Sequence, residues 1–159
     1  HTKLAGLRID PSTWGRQLDR RTTEIRLRDP NGGREFVVAV PPDHWSGPIW
    51  SADDRAFALV REAEGGAELW LADPATAPPQ RVDGVRLNQV LGDAVQWLPD
   101  QRRLLVKTVV LGQAPARPAV PEGPQVQASS RGEKAQVRTY QDLLQDAHDE
   151  ALFAHYGTS

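Results

Sequence analysis

Cysteine is absent from this chain, so a thiolate nucleophile, a thiolate zinc site and a disulfide framework are excluded at once. Chemistry would have to come from serine, histidine and carboxylates. Ser129 and Ser130 lie side by side in a polar stretch, Gln127-Ala128-Ser129-Ser130-Arg131-Gly132. A nucleophilic serine of the α/β-hydrolase kind sits on a strained strand-to-helix turn, Gly-x-Ser-x-Gly, that exposes its hydroxyl. No such motif occurs, and the two serines read as loop residues. The tightest polar cluster is His148-Asp149-Glu150, with His155 following on the same segment. One helix face could align both imidazoles, but a zinc site needs three or four ligands. Helix capping and surface hydrogen bonding account for the same side chains. The reading is of no catalytic residue, no metal ligand and no cofactor-binding residue in this chain.

Composition narrows the partners. Nineteen basic residues against 21 acidic ones leave a net charge of -2. Nucleic-acid binding would need a concentrated basic surface, and the arginines are scattered. No run of about 18 apolar residues exists to span a membrane, and no signal-like segment opens the chain. Methionine is absent and the first residue is His1, which is what a processed, trimmed or excised segment would give.

The elements that must hold these residues are short strands separated by turns. The run Trp50-Ser51-Ala52-Asp53-Asp54-Arg55 followed by Phe57-Ala58-Leu59 matches Trp97-Leu98-Pro99-Asp100-Gln101-Arg102 followed by Leu104-Leu105-Val106, 47 residues on. A second match, Glu24-Ile25-Arg26-Leu27-Arg28-Asp29-Pro30 with Glu68-Leu69-Trp70-Leu71-Ala72-Asp73-Pro74, has an offset of 44. Four-stranded repeats of about 40–50 residues mark the blades of a β-propeller. The tryptophan that ends each first strand would fill the wedge between blades, and the Asp-bearing turn would reverse the chain tightly.

The expected fold is therefore all-β, a partial β-propeller of about two and a half four-stranded antiparallel blades. Residues 1–40 form an incomplete blade, with strands at 4–9, 24–29 and 35–40. Residues 47–84 form a whole blade, and 94–111 the first two strands of the next. Residues 112–159 then form a loop-helix insertion. Its Pro115, Pro118, Pro121 and Pro124 are spaced by three, which suits polyproline II geometry in a stiff surface loop. Thr139 with Asp142 is arranged as a capping box, ahead of an apolar face of Leu143, Leu144 and Ala147. Asp149 is a candidate cap for a second helix carrying Leu152, Phe153 and Tyr156, with Gly157 as its stop. His44-Trp45, in Pro41-Pro42-Asp43-His44-Trp45-Ser46-Gly47, reads as an inter-blade connection with a packed tryptophan, although such connections can line a channel.

The run Val137-Arg138-Thr139-Tyr140-Gln141-Asp142-Leu143-Leu144, followed by Ala147-His148-Asp149-Glu150-Ala151-Leu152-Phe153, resembles an insertion in the propellers of bacterial serine peptidases of the prolyl oligopeptidase (S9) family. The subgroup it resembles is that of the glutamyl endopeptidases. The opening Leu4-Ala5-Gly6-Leu7-Arg8-Ile9-Asp10-Pro11, the stretch Leu104-Leu105-Val106-Lys107-Thr108 and Pro121-Glu122-Gly123-Pro124-Gln125-Val126-Gln127 resemble it as well. The resemblance implies a two-domain enzyme whose propeller caps an α/β-hydrolase domain with a Ser-Asp-His triad and restricts entry to small or unfolded peptides. It further implies a periplasmic or secreted setting. Since no nucleophile elbow is present, the catalytic domain lies outside this chain and no catalytic residue carries over. This chain alone is then no enzyme, its partners being that hydrolase domain and the peptide substrate. A peptidase selecting acidic side chains needs cationic contacts, which makes Trp14, Arg16, Arg20 and Arg21 candidates. The competing reading is a non-enzymatic TolB-like propeller that serves as a protein-binding platform. On either reading the two open ends of a partial propeller favour self-association of the isolated chain.

Overall fold

The computed structural model describes residues 1–16, 21–33, 35–74, 78–116, 118 and 143–159. The described residues form eleven strands and one helix in chain order: β1 (Thr2–Leu4), β2 (Leu7–Asp10), β3 (Gly15–Arg16), β4 (Ile25–Arg28), β5 (Glu35–Val38), β6 (Trp45–Trp50), β7 (Phe57–Arg61), β8 (Glu68–Ala72), β9 (Gln80–Arg81), β10 (Val95–Trp97), β11 (Leu104–Val106) and α1 (Ala147–Gly157). The strands form four antiparallel sheets, β1-β2-β3, β4-β5, β6-β7-β8-β9 and β10-β11. The architecture is that of a partial β-propeller with a short helix near its C-terminal end.

The repeat read in the sequence is a repeat of backbone geometry. Trp50 pairs with Phe57 and, 47 residues on, Trp97 pairs with Leu104. In the intervening turns Ser51 N donates to Ala56 O at 2.9 Å, and Leu98 N to Arg103 O at 2.9 Å. Asp54 and Gln101 occupy the same left-handed position, at φ 56° and 57°. The offset of 44 holds equally well, because Leu27 pairs with Phe36 as Leu71 pairs with Gln80. Thus β4-β5 corresponds to the two outer strands of a blade, β6 to β9 to all four, and β10-β11 to the two inner ones.

The four-stranded sheet is covered on both faces, which is why β7 reads as the unbroken apolar run Phe57-Ala58-Leu59-Val60, all buried. Phe57 and Leu59 pack with Val38, Trp45 and Ala72, against Ile25 and Leu27 of the preceding sheet. Ala58 and Val60 pack with Leu69, Leu87 and Val95, against Leu104 and Val106 of the following one. The repeat tryptophans fare differently. Trp97 bridges two sheets, its indole N–H donating to Ile49 O at 2.9 Å, whereas Trp50 stays 38% exposed and leans on Phe57, with ring centroids 4.9 Å apart.

Two expectations are corrected. Residues 4–9 are not one strand but a hairpin. Ala5 and Gly6 both have positive φ, at 47° and 77°, the two-residue loop whose twist suits a tight antiparallel turn. With β3 this hairpin makes a sheet of its own, packed through Leu4, Ile9 and Trp14 on Val90 and Tyr156. The helix is capped by Asp146, not Asp149, because it begins a turn earlier. The Asp146 carboxylate accepts from Asp149 N at 2.8 Å, while that of Asp149 accepts from Gln145 N at 3.0 Å, a reciprocal arrangement of the capping-box kind. Gly157 is the last helical residue, and Thr158 N closes on Ala154 O. The Thr139–Asp142 box and the prolines at 121 and 124 lie outside the described residues.

One glycine is set by close packing. Gly66, at φ 118°, sits where the chain enters β8, and an added Cβ would lie 2.8 Å from Val109 Cγ2 and 3.1 Å from Arg86 Cβ. Gly66→Ala must both adopt positive φ and displace two neighbours. The expected loss is about 2–3 kcal/mol, readable as a lowered urea midpoint with an unchanged m-value.

Candidate functional site

A cleft lined by polar side chains lies at the end of the sheets where β6 begins and β7 ends. Its volume is about 210 Å³, and it is lined by Arg16, Ser46, Glu62, Gln89, Gly92 and Asp93. Arg16, Ser46 and Glu62 come from the ends of β3, β6 and β7, and Gln89, Gly92 and Asp93 from the connection between β9 and β10, and backbone hydrogen bonds hold them in place. Gln89 N donates to Trp14 O at 2.8 Å, and Glu62 N to His44 O at 2.9 Å. The Arg16 guanidinium is braced by its Nε donating to Val90 O at 3.3 Å.

Behind the cleft stands a group of charges. Asp43 accepts from His44 N at 2.8 Å and pairs with Arg61 Nε at 2.8 Å. Burial works to raise the Asp43 pKa, but these hydrogen bonds and the Arg61 charge outweigh it and hold it below the usual carboxylate range. Asp10 is also held low, first by the Ser12 hydroxyl, which donates at 2.6 Å. Glu62 goes the other way. Burial raises its pKa, the neighbouring Asp10 and Asp43 charges add to this, and the His44 charge opposes it.

The sign for stability follows. Glu62 binds its proton more tightly in the folded state, so its contribution is most favourable below the unfolded value of about 4.3. It is lost as pH rises through the folded value. Glu62→Gln is therefore expected to raise the melting temperature at pH 7, with no gain below about pH 4. Thermal melts at both pH values check this.

The candidate residues from the sequence fall into separate places. Arg16 lines the cleft, while Arg21 donates from Nη2 to Pro42 O at 2.9 Å. Arg20, Ser129 and Ser130 lie outside the described residues. Trp14 and Trp45 are buried packing residues. The Trp45 indole N–H donates to Pro41 O at 2.8 Å, and its ring meets Trp70 edge-on at 5.4 Å. His155 packs 5.0 Å from both Trp14 and Tyr156, whereas His148 and Glu150 occupy the first turns of α1. Among the described residues no three His, Asp or Glu side chains are grouped so as to hold a metal ion. No described helix is long and apolar enough to cross a membrane, which leaves β-barrels aside.

Sequence reasoning missed Glu62, Gln89 and Asp93, which lie on irregular connections where no periodicity flags them. It also missed Glu68. That side chain, 8% exposed, draws Arg61, Arg81 and Arg86 to within 3.4, 3.2 and 3.3 Å and accepts from Trp70 Nε1 at 3.0 Å. Two further clefts, the first apolar and the second mixed with charged residues, open toward the other end of the sheets. One of about 410 Å³ lies between β4-β5 and the four-stranded sheet, with Leu27, Phe36 and Phe57 in its walls. The other, about 660 Å³, includes Arg28, Phe36 and Trp50.

What the polar cleft offers is recognition. Arg16, Gln89 and Ser46 supply donors, and Glu62 and Asp93 supply acceptors, a set suited to an extended peptide. Among the described residues no hydrogen bond in it joins a hydroxyl to a base. The nearby Ser12 hydroxyl and that of Ser51 donate to the carboxylates of Asp10 and Asp53.

Comparison with known proteins gives two relatives. Along 99% of its length the chain is 34% identical, over 174 residues, to a protein of Oryza sativa subsp. japonica named probable glutamyl endopeptidase, chloroplastic. It is 33% identical, over 175 residues and again 99% of its length, to an Arabidopsis thaliana protein of the same name. The chain spans 18% of the length of each of these relatives. No family model matches it, and no solved structure gives a significant match.

Proposed function

We propose that this chain is a propeller segment of a serine peptidase of the prolyl oligopeptidase family, of the glutamyl endopeptidase-like subgroup. Its role is to gate and scaffold the access of peptides to an α/β-hydrolase domain carried elsewhere in the polypeptide. The observation that carries the reading is similarity to proteins named glutamyl endopeptidases along almost the whole chain. The blade repeat and the lack of a nucleophile elbow fit a structural rather than a catalytic part. In this role the polar cleft touches the peptide, with Arg16 as the cationic contact for an acidic side chain.

A serine-directed fluorophosphonate probe tests it. The full-length gene product is expected to be labelled and to cleave glutamate-containing peptides, while the 159-residue chain is inert to both. Absence of labelling in the full-length product would overturn the peptidase reading in favour of a TolB-like binding propeller.

A further inference from the structure

The connection between β9 and β10 changes character at Asn88. Residues 86–88 are held by backbone hydrogen bonds on both sides, Leu87 exchanging two with Ala67 and Asn88 N donating to Lys107 O at 3.0 Å. From Gln89 on the partners change, and this stretch supplies Gln89, Gly92 and Asp93 to the polar cleft. Gln89 N donates to Trp14 O at 2.8 Å. The Leu91 carbonyl accepts from Lys107 Nζ at 2.8 Å, and Val90 N donates to the side chain of Asn88 at 3.0 Å.

The Asn88 amide is fully committed. Its Nδ2 donates to Tyr156 O at 2.8 Å and Thr158 O at 2.9 Å, carbonyls at the end of α1 where intrahelical donors run out. Its Oδ1 accepts from Val90 N, which closes a local turn. The same helix end backs the neighbouring residues. Tyr156 and Val90 share one buried apolar cluster, and a Cβ added to Gly157 would lie 3.1 Å from Leu91 Cδ1. On its other side Val90 O accepts from Arg16 Nε at 3.3 Å. That bond orients a planar guanidinium, whose N–H donors match a carboxylate in pairs.

We propose that Asn88 is a positioning residue for the cleft. Clamped by the end of α1, it holds Val90 where the Val90 carbonyl aims Arg16 at the carboxylate of an acidic peptide side chain. This role rests on the reading of the cleft as a peptide contact, and it adds the element that controls the contact. The helix, far from Arg16 in sequence, sets how well an acidic side chain is held. The path is continuous in hydrogen bonds, from the α1 carbonyls through the Asn88 amide and the Val90 backbone to the Arg16 guanidinium.

The chemistry of the amide supplies variants that cut this path at one point. Aspartate at position 88 keeps an acceptor for Val90 N but sets oxygens against the two α1 carbonyls. Serine is neutral and keeps an acceptor for the turn, yet its single hydroxyl cannot serve both carbonyls. A misplaced binding group can cost up to about 100-fold. Arg16 remains anchored in β3, so a loss of about five- to tenfold is expected from loosening its aim.

The test uses the full-length gene product and a glutamate-containing peptide. Asn88→Asp, and the neutral Asn88→Ser should the buried charge prevent folding, are expected to raise KM about five- to tenfold with kcat within about twofold. In an Arg16→Ala background the same changes should add almost nothing, because their effect passes through Arg16. Additive effects, or an unchanged KM, would overturn the positioning role while leaving the cleft in place. If Arg16→Ala alone leaves KM unchanged, the cleft reading itself falls, and the aiming of Arg16 with it. Hydrogen exchange on the same variants reads the link without substrate. Residues 89–91 are expected to exchange at least about tenfold faster together with α1, and β6 to β9 to stay unchanged. A freed α1 with unaltered exchange at 89–91 would show that the connection holds itself, which defeats the proposal whether or not the peptide is cleaved.

Discussion

Glu68→Ala is expected to be the most damaging substitution of a charged side chain in the four-stranded sheet, lowering stability by about 2–4 kcal/mol. The carboxylate is 8% exposed and meets three guanidinium groups that are themselves 32–48% exposed. Removing it leaves Arg61, Arg81 and Arg86 clustered without their shared anion, and leaves the Trp70 indole N–H without its acceptor. Arg61 retains Asp43 and Arg81 retains Asp83, so the loss falls short of that for a fully buried pair. Glu68→Gln keeps the volume and one acceptor and should cost about half as much. Urea unfolding of both variants at pH 7 checks the order. Equal midpoints for Ala and Gln would show that packing, not charge, holds the site.

The same residue predicts acid lability. Burial works to raise the Glu68 pKa, but the Trp70, Arg81 and Arg86 hydrogen bonds and the Arg61 charge together bring it below its ordinary value. Its contribution is therefore complete above the unfolded value of about 4.3 and is lost as pH falls through the folded one. Asp10, Asp43, Asp53 and Asp100 are lowered too, and Glu62 alone of these carboxylates runs opposite. A fall in melting temperature below about pH 4.5 is expected, and it should be shallower in Glu68→Gln than in the parent chain.

The blade was legible because its signals are local. The Asp-bearing turns after Trp50 and Trp97 are set by residues within six positions of one another, and a short-range pattern survives whatever the rest of the chain does. What stayed hidden was decided at long range. Glu24 and Glu68 hold equivalent places in the repeat, yet Glu24 is 43% exposed against a neighbouring Arg26, while Glu68 is covered. The difference lies in what comes next along the chain. Residues 86–88 fold back between Ala67 and Thr108 and bring Arg86 onto Glu68, and no feature of the Glu68 segment announces this. The hairpin at Ala5-Gly6 was missed for another reason. Alanine rarely adopts positive φ, so Leu4-Ala5-Gly6-Leu7 carries only half of the usual signal for a two-residue turn. The polar cleft has the same origin as the Glu68 site, since its side chains meet only after three strand ends and one connection converge.

Asn88→Ala is expected to detach the helix before it unfolds the sheets. Asn88 is 2% exposed, in the connection between β9 and β10, and its side-chain amide ties that connection to the end of α1. Its Nδ2 donates to Tyr156 O at 2.8 Å and to Thr158 O at 2.9 Å, and its Oδ1 accepts from Val90 N at 3.0 Å. Truncation leaves the buried Tyr156 carbonyl and Val90 N–H without partners in a place water reaches poorly, while the Thr158 carbonyl turns to solvent, a loss of about 2–4 kcal/mol. Part of that loss is avoidable, because the helix can move away and rehydrate its carbonyls. The rest of its attachment is the packing of Tyr156, Leu152 and Phe153 with Leu4, Trp14 and Val90, and an eleven-residue helix is marginal without tertiary support. Amide hydrogen exchange separates the outcomes. Protection lost in α1 and in β1-β2, with β6 to β9 unchanged, would show Asn88 acting as the fastening of a semi-independent layer. Loss of protection throughout would mean that the helix, the N-terminal hairpin and the four-stranded sheet unfold as one cooperative unit.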